Sequence, residues 1–207
     1  MIDLLQNAFS RPLPGREAQF KMAHVGRHIL DVMPEELPAN VRRSAILILF
    51  YQKGADWHVP LVRRAAGVIH SRQVGFPGGG VEPQDEGDFR RTAVREAQEE
   101  IGIHPEKVQV LGELTPLYIP VSNNLVYPFA GIYSEAPNFE AQPEEVEHVI
   151  EMPLSLLLND ENAKITSLEI ETGFVLPRVP YFDVYGTIVW GATAMMLSEL
   201  KTMLTAE

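Results

Sequence analysis

Arg95-Glu96-Ala97-Gln98-Glu99-Glu100-Ile101-Gly102-Ile103 carries two patterns at once. On an α-helix, at about 100° per residue, Glu96, Glu99 and Glu100 share one face within an arc of roughly 100°. The adjoining face carries Phe89, Ala93, Ala97 and Ile101 at intervals of four, a narrow apolar stripe suited to packing on a sheet. The spacing therefore predicts a helix over about 88–101, stopped by Gly102. Local energetics oppose the acidic face. Like charges three and four residues apart cost a few tenths of a kcal/mol each, and acids in the last turn oppose the helix dipole by about 0.3–1 kcal/mol. A bound cation offsets both penalties. Carboxylates with no cysteine or histidine pair nearby select a hard ion, Mg²⁺ or Mn²⁺. Arg95, one residue before Glu96 and four before Glu99, is placed to hold a ligand carboxylate through a charge-assisted hydrogen bond.

Upstream, Gly78-Gly79-Gly80 offers backbone that approaches a metal or phosphate closely, where a Cβ would intrude. By itself a glycine run is a tight turn, and an isolated Glu-x-x-Glu-Glu is a solvated helix face. Together, in this order, they point to a site.

Further out, Arg42–Tyr51 is short, apolar and rich in β-branched residues, the pattern of a buried strand. A turn at Lys53–Asp56 and a return strand at Trp57–Val62 follow. Strand-like runs recur at 108–114, 125–133, 148–152, 165–169 and 174–176, with Val184–Val189 extending into Trp190. A short helix is expected near 154–158 and a closing helix over 192–204. Residues 1–40 read as an N-terminal helical extension, with pieces at 2–9 and 16–31, ahead of a domain over 41–207. Strands around one central helix, with helices at both ends, predict an α/β sandwich on a mixed sheet.

Composition narrows the chemistry. The 207 residues include no cysteine, which removes disulfides, thiolate metal sites and cysteine nucleophiles. The net charge of −11 argues against nucleic-acid binding through a basic surface. No basic-then-apolar leader opens the chain, and Ala45–Phe50 is far shorter than the roughly 20 residues a membrane span needs, so no membrane partner and a cytoplasmic location are expected. The six histidines lack metal-ligand spacing; His24 and His28, four apart, suit packing or surface roles. No G-x-S-x-G elbow, phosphate-loop motif or H-E-x-x-H is present.

The stretch Gly79-x5-Asp85-x9-Arg95-Glu96-Ala97-x-Glu99-Glu100-x-Gly102-Ile103 resembles the Nudix box, G-x5-E-x7-R-E-U-x-E-E-x-G-U. Its second half matches at every specified position. In the first half Asp85 replaces the usual Glu, and two extra residues precede Arg95. That departure, with Phe76-Pro77-Gly78-Gly79, Leu117–Pro128 and Val189–Ala194, is similar to the branch containing coenzyme A pyrophosphatases. The signature of that branch reads L-L-T-x-R-S/A-x3-R-x3-G ahead of x3-F-P-G-G. Arg63 fits it, whereas Leu61, Arg64, Val68 and Arg72 stand where a threonine, a small residue, an arginine and a glycine are expected.

The resemblance implies a Nudix-type α/β/α sandwich with a mixed β-sheet, extra N-terminal helices and a C-terminal helix. It implies metal ligation by Glu96, Glu99, Glu100, the Gly78 carbonyl and an acid from a later loop, for which Glu145 in Pro143–Glu147 is the choice. Glu96, Arg95 and Glu99 are the implied catalytic set, and Arg63, Arg64 and Arg72 are candidates for substrate phosphate. The expected reaction is Mg²⁺- or Mn²⁺-dependent hydrolysis of a diphosphate bond in a small nucleotide. For coenzyme A or an acyl-CoA it gives 4′-phosphopantetheine and 3′,5′-ADP. ADP-ribose or another nucleotide stays open as substrate, as do a nucleotide-sensing module without turnover and a homodimer.

Overall fold

The structure, a computed structural model, describes residues 1–30, 37–67, 73–170 and 172–206. Val68 and Arg72 therefore lie outside the described residues, as does the side chain of His28.

Three short helices open the chain, α1 (Ile2–Ser10), α2 (Gly15–Phe20) and α3 (Val25–Leu30). The single helix expected over 16–31 is thus two. Met22 and Ala23 donate to Gln19 and Phe20 through three-residue bonds of 3.2 and 3.1 Å, which tighten the end of α2 and turn both side chains into the core. His24 then accepts the Arg27 N–H at 3.3 Å and caps the next helix.

β1 (Arg42–Lys53) is the spine of the fold. Its run of eight buried residues divides by parity: Ala45, Leu47, Leu49 and Tyr51 pack on one side, Ile46, Ile48 and Phe50 on the other. A strand that is apolar on both faces must be covered on both faces, which dictates a sandwich. The next elements are β2 (Asp56–Arg64), β3 (Val74–Gly75), β4 (Gly78–Gly80) and the acidic helix, α4 (Phe89–Ile101). After them come β5 (Val108–Glu113), β6 (Leu117–Ile119), β7 (Asn124–Tyr133), β8 (Val146–Pro153) and α5 (Leu154–Leu158). β1 runs parallel to β7 and antiparallel to β2 and β4, so the main sheet is mixed, in the order β3-β2-β1-β7-β5.

A second sheet holds β9 (Ala163–Glu169), β10 (Val175–Val184) and β11 (Thr187–Trp190), in the order β11-β10-β9. Here the expected strands at 174–176 and 184–189 are redrawn. One strand runs through both Pro177 and Pro180, and the break falls at Tyr185-Gly186, a turn with φ of 54° and 81°. Pro177 sits in a register irregularity between Leu176 and Val179, where a missing N–H costs no ladder bond.

α6 (Gly191–Thr205) covers the Ile46/Ile48/Phe50 face and α4 covers the other. Leu5, Ala8, Met22 and Ala23 join the α6-side core. The N-terminal helices are fastened there by Glu199 of α6, wholly buried, which accepts from Gln19 Nε2 (2.8 Å), the Gly15 N–H (3.2 Å) and Thr115 Oγ1 (2.6 Å).

Candidate active site

Asp88 starts α4 by accepting the Arg90 N–H at 2.9 Å, and Gly102, in the left-handed conformation at φ 71°, ends it. Ala93, Ala97 and Ile101 are fully buried against β1, so two alanines bring the helix axis close to the sheet. β4 lies alongside with Gly78, Gly79 and Gly80 opposite Ile46, Ala45 and Ser44. At Gly78 and Gly79 there is no room for a side chain. A Cβ on Gly78 would stand 2.3 Å from the Ala45 carbonyl oxygen, and one on Gly79 would stand 2.3 Å from Glu96 Oε2.

The three glutamates that share a helical face have three different surroundings. Glu100 is 1 % exposed; its Oε2 accepts the Gly78 N–H at 3.0 Å, and its Oε1 lies 3.7 Å from Arg64 Nη1. Burial pushes its pKa up to about 7, against the pull of Gly78 and Arg64 and with help from Glu96 and Glu145. Glu96 is largely buried against Gly79, and burial raises its pKa too, opposed by Arg95. Glu99 is exposed and held by Arg95 Nη1 at 2.8 Å.

Arg95 ties this face together. Beyond Glu99, its Nε and Nη2 fork onto Asp85 at 3.0 Å each, while Nη2 also meets Glu96 Oε1 at 2.9 Å and the Gly80 carbonyl at 3.0 Å. Asp85, 2 % exposed, also accepts from the Glu82 N–H (2.8 Å) and Thr92 Oγ1 (2.9 Å). Arg95 above all holds the Asp85 carboxyl down at about 2. The two-residue-longer loop thus forms a 3₁₀ turn, Pro83–Asp85, that delivers the shorter Asp to Arg95. Asp85 and Thr92 are the site members absent from the sequence-derived set; the Asp in place of the box Glu was the available signal.

Of the candidate arginines, only one faces this cluster among the described residues. Val59 and Leu61 pack on the α6 side and Val62 on the α4 side, so alternation places Arg64 with Val62 toward Glu100 and turns Arg63 away. Arg63 instead pairs loosely with Glu147 (3.4 Å) beside a cavity of about 700 Å³ lined by both residues with Ala65, Ala66, Pro143 and Val146. Glu145 is exposed, its carbonyl accepts the Ala65 N–H at 2.8 Å, and its charge bears on Glu96 and Glu100.

Among the described residues no three acidic or imidazole side chains converge as a ready-made metal cage. The donor set nonetheless fits a hard dication. Mg²⁺ keeps several waters and takes only one or two carboxylates, and Glu96 and Glu100 supply two whose proton affinity burial has raised, beside glycine backbone. Gly79→Ala is expected to displace Glu96 by about 1 Å and to cut turnover by about 10²-fold. Unchanged kcat in a folded G79A variant removes Glu96 from the machinery. Gly78→Ala meets backbone rather than a side-chain end and is expected to fail in folding.

A family model described as the NUDIX domain matches residues 41–183. "Uncharacterized Nudix hydrolase NudL" of Photorhabdus laumondii is 34% identical over 168 residues, 81% of this chain and 87% of that protein. "Nudix hydrolase 15, mitochondrial" of Arabidopsis thaliana is 38% identical over 167 residues, 75% of this chain and 56% of that protein. Among solved structures, a MutT/nudix family protein from Enterococcus faecalis resembles the fold with a TM-score of 0.50 at 16% identity, over 88% of this chain and 71% of that one.

Proposed function

The chain belongs to the Nudix family, as a hydrolase acting on nucleoside diphosphate derivatives, and from that premise we propose that its substrate is coenzyme A or an acyl-CoA, cut at the diphosphate to 4′-phosphopantetheine and 3′,5′-ADP. The observation that carries the substrate assignment is the lengthened box: Phe76 buried ahead of the glycine strand, and the Pro83–Asp85 turn that lets Asp85 reach Arg95.

In this reading Glu96, Glu99, Glu100, the Gly78 carbonyl and Glu145 are the candidate ligands of Mg²⁺ or Mn²⁺. A divalent cation, when bound, supplies neutralisation of the diphosphate oxygens and acidification of a water. The residues of the chain do the rest. Glu96, held between Arg95 and Gly79, is oriented to take the proton of the attacking water. Arg95 is a positioning residue, since its guanidinium is occupied by Asp85, Glu96, Glu99 and the Gly80 carbonyl. Arg64 supplies positive charge on the side of the incoming phosphates, and Arg63 stands at the neighbouring cavity, suited to a more distant phosphate. Catalysis is then mainly positioning and charge stabilisation, as phosphoryl transfer demands.

Coenzyme A and ADP-ribose, incubated side by side with Mg²⁺ or Mn²⁺ and followed by mass spectrometry, decide the substrate. The expected products are 4′-phosphopantetheine and 3′,5′-ADP. Faster turnover of ADP-ribose overturns the coenzyme A assignment, and tight binding of either nucleotide without turnover overturns the enzyme reading.

A further inference from the structure

Arg63, next to last in β2, lines a cavity of about 700 Å³ together with Ala65, Ala66, Pro143, Val146 and Glu147. That volume falls among the clefts that hold small molecules, about 300–1,000 Å³. Two alanines, a proline and a valine make most of its described lining apolar, and Arg63 and Glu147 are the charged groups in it. The cavity adjoins the candidate metal site through the chain itself. Ala65 follows Arg64, Val146 follows Glu145, and the Ala65 N–H donates to the Glu145 carbonyl at 2.8 Å.

The charged pair is poorly matched. Arg63 Nε is closed off from solvent and donates no hydrogen bond; Glu147 Oε2, 3.4 Å away, is not in line with it. A buried N–H without an acceptor carries a cost that a better-placed oxygen removes. A third of the Arg63 side chain (34%) and half of Glu147 (51%) remain exposed, so a ligand can reach the first and the second can leave it. Glu147 is brought there by a bulge. Between the pairs Arg63↔His148 and Arg64↔Val146, β8 holds one residue more than β2, and that residue is Glu147. Its other contact, with His148 Nδ1 at 3.8 Å, is loose as well.

We propose that the cavity takes a phosphomonoester of the substrate, separate from the diphosphate that is cut, and that Glu147 is the competing anion which this group displaces from Arg63. A phosphomonoester carries a charge of about −1.5 to −2 and offers three oxygens to the planar guanidinium. A carboxylate of one charge, half in solvent, gives way to it. Displacing Glu147 consumes part of the binding energy, so Glu147 weakens the hold on substrate and on the product that keeps the phosphomonoester. The inference deepens the coenzyme A reading and rests on it, since coenzyme A bears such a group on its ribose.

The ratio of kcat/KM for coenzyme A to that for dephospho-coenzyme A, which has a hydroxyl in place of the 3′-phosphate, reads the subsite. Arg63→Gln is expected to lower the ratio about tenfold, the scale of a hydrogen bond to a charged group. Glu147→Gln is expected to raise it about threefold, the scale of an exposed ion pair. Glu144→Gln deletes the same charge from an exposed residue outside the cavity lining and moves the ratio by less than about twofold, as solvent screening requires. In the double variant R63Q/E147Q the ratio returns to that of R63Q, because Glu147 acts through Arg63. Calorimetric titration with 3′,5′-ADP and with 5′-AMP repeats the comparison without turnover, and R63M stands in should R63Q not melt cooperatively. An unmoved ratio in R63Q, or a ratio in E147Q no higher than in E144Q, overturns the subsite and leaves the coenzyme A assignment in place. A parent chain that cleaves neither coenzyme A nor dephospho-coenzyme A overturns that assignment and the subsite with it.

Discussion

Glu100→Gln is expected to lower kcat by about 10³-fold or more, because it removes an anionic donor from a centre worth several kcal/mol to the transition state. The same substitution should make the metal-free protein more stable above neutral pH. In the fold the Glu100 pKa is raised from 4.5 to about 7. Between those values the folded chain holds a proton that the unfolded chain has released, so stability falls as pH rises through that window. Above pH 7 the folded state carries the full penalty, at most about 3 kcal/mol for a shift of roughly 2.5 units. Glutamine carries none. Thermal melts in EDTA at pH 8 should thus place E100Q above the parent, with the difference vanishing toward pH 4.5. A variant that melts lower at pH 8 would show that Gly78 and Arg64 outweigh the burial of the charge, contrary to the direction given.

The second large effect is at Arg95. Arg95→Gln leaves Asp85 buried with its Glu82 and Thr92 donors and no cation. Breaking such a pair on one side typically costs about 3–5 kcal/mol, which in a chain of this size lowers Tm by roughly 10 °C. The double variant Asp85→Asn/Arg95→Gln removes the orphaned charge and should recover much of the stability without the activity. Asp85 also gives the pH dependence a sign. Its pKa is depressed from 3.8 to about 2, so its contribution is complete above pH 3.8 and is lost as pH falls toward 2. In R95Q that acid-side loss shrinks, which urea titrations at pH 3 and pH 6 would reveal. Equal losses in parent and variant would place the stabilisation of Asp85 elsewhere.

The helix, its stop at Gly102 and the central strand were legible because each is a local pattern: a four-residue stripe, a left-handed cap and an unbroken apolar run. The unequal fates of Glu96, Glu99 and Glu100 were not. Periodicity groups all three within one arc, and the partners that separate them, the Gly78 N–H on Glu100 and Arg95 on the exposed Glu99, come from the fold. Arg63 and Arg64 are equally plausible on paper, since strand parity needs a partner sheet to say which side is which. The strand expected at 174–176 stops short of Pro177, yet a register irregularity absorbs that proline and the strand runs on. Glu199 gave no signal at all, because a lone acid in a C-terminal helix names none of the distant donors that surround it.

Those donors set an order of events during synthesis. Gln19 and Gly15 find their acceptor 180 and 184 residues later in the chain. At translation rates of about 5–20 residues per second, roughly 10–40 s separate the emergence of the two sides. Through that interval the first helices lack both the apolar face of α6 and the carboxylate that fastens them. The segment holding α1 to α3 is therefore among the last to settle, and it closes the fold together with α6.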